Sequence, residues 1–133
     1  MRKELDEALC TKYPEIFKDR HGNVLSTAMC WGFECDDGWY KLIDTLCEEL
    51  MKTSHLGIPI ATQVKEKYGR LCFYVNGANE LQWDIIDKYE GYSEHLCEVC
   101  GKNGKLRGRG WYKTLCDKHT KELKYEDFEK CPY

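Results

Sequence analysis

CEVCGKNGKLRGRGWYKTLCDKH, residues 97–119, decides how the C-terminal part of this chain folds. Cys97 and Cys100 make a C-x₂-C pair, and fifteen residues later Cys116 and His119 make a C-x₂-H pair. Thiolate and imidazole are the ligands Zn²⁺ prefers, and two close pairs reach one tetrahedral point when the chain between them doubles back. Cys97 to Gly101 reads as a knuckle, a tight turn aiming two thiolates at one place, with Gly101 free to take a positive φ. Lys105–Arg107 and Trp111–Leu115 read as a short hairpin turned by Gly108 and Gly110. Cys116 to His119 then opens a helix that continues through Leu123, where a ligand pair at this spacing shares one face of the first turn. Knuckle, hairpin and ligand-bearing helix make a treble-clef-like module. Four protein ligands leave no open coordination position, so one structural zinc is expected.

Working back toward the N-terminus, Trp39, Leu42, Ile43, Leu46, Cys47 and Leu50 form one helical stripe, with Asp36 or Asp37 as its expected cap and Gly57 beyond its end. Residues 61–66 and 71–75 read as two strands around Lys67-Tyr68-Gly69-Arg70, with Leu71, Phe73 and Val75 on one face. Asn79 is a candidate cap for a helix to about Tyr89, burying Leu81, Ile85 and Tyr89. A short helix over 3–10 stops near Pro14, and His21-Gly22-Asn23 reads as a turn. The expected fold class is α+β: three or four helices with a β-hairpin, closed by the C-terminal module. Residues 1–96 form an acidic body and 97–133 the zinc module packed on it as one compact unit.

Charge divides along the same line. Residues 1–96 hold 17 acids and 11 bases, a balance of −6, while 97–120 hold six bases and two acids, a balance of +4. The overall −3 gives no general attraction to nucleic acid. Nine cysteines raise the possibility of a disulfide scaffold. Against it stand the odd count, the three thiols claimed by the metal motif, and an opening without an apolar signal segment. No run approaches the roughly 18 apolar residues of a membrane span. The expectation is a cytosolic protein with reduced thiols and no membrane partner.

Lys105, Arg107, Arg109 and Lys113, interleaved with Trp111 and Tyr112, combine phosphate-neutralising charge with stacking faces and make a candidate nucleic-acid surface. Trp31, Trp39 and Trp83, with Tyr40, Tyr74, Tyr89 and Tyr92, exceed what a core of this size must bury and are candidate anchors for a protein partner. Cys10, His21, Cys30 and Cys35 are a looser candidate for a second metal site. Cys47 and Cys72 lie in apolar patterns and read as core residues. An enzyme is not expected. Phosphate-binding loops and nucleophile elbows are absent from the sequence, and the hairpin lacks the histidine an HNH-type nuclease needs.

Four stretches together carry a family resemblance: Thr11 to Phe17, Cys30-Trp31-Gly32-Phe33-Glu34-Cys35-Asp36-Asp37-Gly38-Trp39, Gln63 to Gly69, and the zinc module with Gly110-Trp111 before Thr114-Leu115-Cys116. Across nearly its whole length the chain resembles a group of small zinc-motif proteins carried by tailed bacteriophages and prophages. The resemblance implies a phage or prophage origin and the cytoplasm of a bacterial host; it brings no activity and no catalytic residue. Small phage accessory proteins without catalytic motifs work by binding. The expected function is therefore a non-enzymatic, zinc-stabilised protein that modulates a host or phage macromolecule, with inhibition of a bacterial defence system as one form. The alternatives are a nucleic-acid-binding accessory protein using the basic hairpin and a sponge for a signalling nucleotide.

Overall fold

The computed structural model describes residues 1–108 and 110–127, so Arg109 of the candidate nucleic-acid surface lies outside the described residues. The fold is mixed α+β, with four α-helices and two small sheets among those residues. Helix α1 (Lys3–Lys12) ends at Tyr13, because Pro14 has no N–H to continue the ladder. The Tyr13 hydroxyl then donates to Asp44 Oδ1 at 2.6 Å, and Lys12 pairs with the same carboxylate at 2.9 Å. These contacts bind α1 to α2 (Tyr40–Met51). As the stripe predicts, α2 buries Leu42, Ile43, Leu46, Cys47 and Leu50.

The expected carboxylate cap on α2 is not formed. Neither aspartate caps the 3₁₀ turn Asp37–Trp39 that precedes the helix. Asp36 instead pairs with Lys113 and Asp37 with Arg2, while the Gly38 N–H that a cap would serve donates to Glu98 O.

The first sheet has the order β1-β2-β3. Strands β2 (Ile60–Lys67) and β3 (Arg70–Asn76) form the expected hairpin, and β1 (Phe33–Glu34) adds a short parallel strand that the unperiodic 18–36 stretch did not signal. Leu71, Phe73 and Val75 are buried on one face. Helix α3 (Glu80–Ser93) covers the far edge. Ser93 Oγ and Glu90 Oε2 accept the Leu71 and Phe73 N–H groups at 2.9 and 2.8 Å, so the edge is closed against further pairing.

Asn79 caps α3 as expected, in a reciprocal box with Gln82. The box also turns the helix. Gln82 is buried and donates to Thr53 Oγ1 and Gly57 O, which leaves Leu81 exposed rather than packed. The inward face is Gln82, Ile85, Ile86, Tyr89 and Ser93.

The second sheet, β5-β4-β6, belongs to the C-terminal segment: β4 (Lys105–Gly108), β5 (Tyr112–Leu115) and β6 (Glu126–Asp127), with α4 (Asp117–Glu122) following β5. The hairpin is one residue shorter than expected on its second arm, and Trp111 stands outside it, 66% exposed. Twenty-one buried residues form the body's core, whereas the module's own buried cluster is Cys97, Leu115 and Cys116. Burying Leu115 stabilises by about 2 kcal/mol. Ordering each residue costs about 1–2 kcal/mol. The module cannot hold itself by apolar burial.

Candidate metal centre

Local hydrogen bonds shape the knuckle. Cys97 N–H donates to Lys102 O at 2.7 Å, Gly101 N–H to Cys97 O at 2.8 Å, and Leu96 bridges Asn103. Gly101 takes φ +79°, and a Cβ there would stand 2.9 Å from Gly38 O, so both conformation and space require glycine. The β4–β5 hairpin returns the chain to Cys116, which is extended and precedes α4. One turn later His119 faces the same point.

The result is a cluster of Cys97, Cys100, Cys116 and His119 whose ligand atoms all lie within 4.8 Å of one another. Cys100 Sγ is 3.7 Å from Cys116 Sγ, and His119 Nδ1 is 3.6 Å from Cys97 Sγ and 3.2 Å from Cys116 Sγ. Tetrahedral bonds of about 2.3 Å to sulfur and 2.0 Å to nitrogen require ligand–ligand edges of about 3.8 and 3.5 Å. The donor set therefore fits one metal ion. Cys97 and Cys116 are buried, His119 is half-buried and Cys100 is exposed.

One feature prepares the site. Burial alone would raise the Cys116 thiol, but bonds from the His119 N–H, the His119 ring and the other two thiols outweigh it and bring the group down from 9.0 to about 6. The other ring nitrogen, His119 Nε2, faces Glu122 Oε2 at 3.7 Å. That separation is beyond hydrogen-bond distance and Glu122 is exposed, so the carboxylate lies near the ring without holding it. Sequence reasoning did not single out this acid, three residues after the histidine on one helix.

A second missed residue is Glu98, between the first two cysteines. Its side chain is almost fully buried and turned to the body, accepting the Asp36 N–H at 3.0 Å and pairing with Lys113 at 3.4 Å. Beside it, Gly38 N–H donates to Glu98 O at 2.7 Å and the Trp39 indole donates to Leu96 O at 3.0 Å. A Cβ on Gly38 would stand 2.3 Å from Cys97 O. Farther along, the Thr114 hydroxyl donates to Gly69 O at 2.6 Å in the β2–β3 turn. The knuckle and hairpin thus sit directly on body backbone.

These contacts redistribute the residues expected to bind partners. Trp39 is fully buried, a core side chain rather than an anchor. Trp31 and Trp83 are exposed. Arg107 is 5% exposed, bonded to Leu115 O and paired with Asp117 and Asp127, so it holds β4 to α4 and β6. Lys113 is held between Asp36 and Glu98. Lys105 and Trp111 remain at the surface. Two charges of the basic stripe are therefore spent inside the protein.

Among the described residues, the Cys97, Cys100, Cys116 and His119 group is the one that can hold a metal; Cys10, His21, Cys30 and Cys35 do not converge. Cys10 Sγ is 3.7 Å from Asp6 Oδ1, and burial with that carboxylate pushes its thiol up to about 11. Burial and the nearby Glu98 push Cys35 up to about 12.

No helix among the described residues is long and apolar enough to cross a membrane. No family model, curated protein or solved structure matches this chain.

Proposed function

We propose that the chain is a non-enzymatic, zinc-stabilised binding protein of phage type that modulates a host or phage protein in the bacterial cytoplasm, with inhibition of a defence system as one concrete form. Three thiolates and an imidazole at tetrahedral spacing suit Zn²⁺, and knuckle, hairpin and ligand-bearing helix follow the treble-clef order. With all four positions taken by protein, the ion supplies rigidity rather than a reaction.

What that rigidity serves is suggested by one observation. A cleft of about 840 Å³ lies where α2, the end of α3 and the knuckle meet. Tyr40, Tyr89, Tyr92 and Leu96 line it from the body, and Val99 and Cys100 from the metal module. A mostly apolar groove rimmed by tyrosines suits a protein segment, because Tyr offers large contact area at low entropy cost. The metal would then hold one wall of the docking groove in place. A nucleotide sponge would call for a more enclosed pocket than this open cleft.

Affinity capture from bacterial cells, with and without nuclease, tests the proposal. A protein partner retained after nuclease at moderate salt, and lost with Tyr92→Ala, is the expected outcome. Capture that retains no protein partner after nuclease would overturn the protein-binding assignment.

A further inference from the structure

The tips of the two hairpins meet at a separate surface. A cleft of about 370 Å³ is lined by Lys65, Glu66, Lys67 and Tyr68 from the β2–β3 hairpin and by Gly110, Trp111 and Tyr112 from the β4–β5 hairpin. Tyr68 and Tyr112 stand edge to face with ring centres 6.3 Å apart. Tyr68 and Trp111 are 71% and 66% exposed, so two large aromatic faces are presented to solvent side by side.

Tyr68 is held there against its backbone preference. The two-residue turn has φ +53° at Tyr68 and +79° at Gly69. A turn with both values positive favours Asn or Gly at its first position, and a bulky residue there is an outlier. Strain of this kind clusters at ligand sites. The turn tolerates it because the module clamps it. Thr114 holds Gly69 O, Glu66 Oε2 accepts the Gly69 N–H at 3.0 Å, and Leu106 packs where a Cβ on Gly69 would stand. The ring position therefore depends on both hairpins.

Charge selects the ligand class. Three aromatic rings alone would also suit a quaternary ammonium ion. Lys65 and Lys67, neither in an ion pair among the described residues, line the cleft with two positive charges, Lys67 Nζ standing 5.9 Å from the centre of the Tyr68 ring, and the Glu66 carboxylate is engaged by the turn. The complement is a flat aromatic group joined to an anion. A nucleobase with its phosphate fits, and two cations beside one cleft suit the two phosphates that flank a base within a strand. We propose that the paired hairpin tips bind single-stranded nucleic acid, with Tyr68 and Trp111 stacking on a base and Lys65 and Lys67 on the flanking phosphates. This surface is distinct from the tyrosine-rimmed cleft, so failure of either proposal leaves the other standing.

Anisotropy of a short fluorescein-labelled oligothymidylate, titrated with the metal-loaded full chain, tests it. Two phosphate contacts on a single strand predict a log–log salt slope of about −1.4, falling to about −0.7 in Lys67→Gln. Tyr68→Asn is the decisive variant. Asn accepts a positive φ, so its melting temperature should equal or exceed that of the parent, while affinity falls roughly 5- to 150-fold with the lost stack. Trp111→Ala should show a comparable loss. Absence of salt-dependent binding, unchanged affinity in Tyr68→Asn, or thymidine monophosphate binding as tightly as the oligonucleotide would each overturn the proposal.

Discussion

Residues 1–96 are held together by side chains that avoid water, and residues 97–127 by side chains that need partners. The body packs twenty-one buried residues, including Trp39, Phe73, Ile43 and Leu46, between α2, α3 and the first sheet. The C-terminal segment buries Leu115 and two thiols of the candidate metal cluster, then relies on Arg107 between Asp117 and Asp127, Lys113 between Asp36 and Glu98, and the Cys97, Cys100, Cys116 and His119 cluster. An apolar core loses stability in proportion to the area removed, so it degrades gradually. A ligand set and buried ion pairs fail in larger steps, because removing one member leaves the others uncompensated.

Removing one ligand should separate the two regions most sharply. Cys116→Ser should abolish stoichiometric metal binding and accelerate hydrogen exchange across residues 97–127, while α2 and β3 keep most of their protection. Chelator added to the parent should give the same pattern. Exchange that rises equally along the whole chain would show that the regions are one cooperative unit and dissolve the contrast.

Next in size is the joint between them. Gly38→Ala drives a Cβ into backbone atoms of Cys97 and Glu98, and neither can rotate away. A loss of about 2–3 kcal/mol in denaturant unfolding is expected, with weaker metal retention. Unchanged stability would mean that the knuckle does not depend on this seat.

A third effect is set by pH. Cys116 sits at about 6 in the folded protein against 9.0 for an ordinary thiol, so its thiolate favours the folded state. That contribution is complete above pH 9 and is lost as pH falls through about 6. Thermal melts of the metal-free protein from pH 9 to 6 should show the module signal moving down while the body signal stays flat, and the slope should vanish in Cys116→Ser. A flat module signal in the parent would remove Cys116 from this role.

Much of the local architecture was legible beforehand. The α2 stripe from Trp39 to Leu50, the Tyr68-Gly69 hairpin, the Asn79 cap and the four converging ligands all rest on spacing within one segment. The misassignments share a cause. Trp39 and Trp83 look alike as candidate anchors, yet Trp39 lies in the core because Leu96 O waits for its indole N–H. Arg107 and Lys105 look alike as phosphate contacts, yet Arg107 is enclosed by Asp117, Asp127 and Leu115 O. The parallel strand β1 is two residues long, too short to show any period.

Spacing along the chain was enough to assign the ligand cluster, because the donors Cys97, Cys100, Cys116 and His119 carry their chemistry wherever they converge, and their two pairs are joined by a single hairpin. Which charges and rings face water was settled by contacts between remote segments. Lys113 meets Asp36 across 77 residues, and Trp39 meets Leu96 across 57. Formal charge and hydrophobicity belong to a residue, whereas burial and pairing belong to whatever the rest of the chain brings beside it.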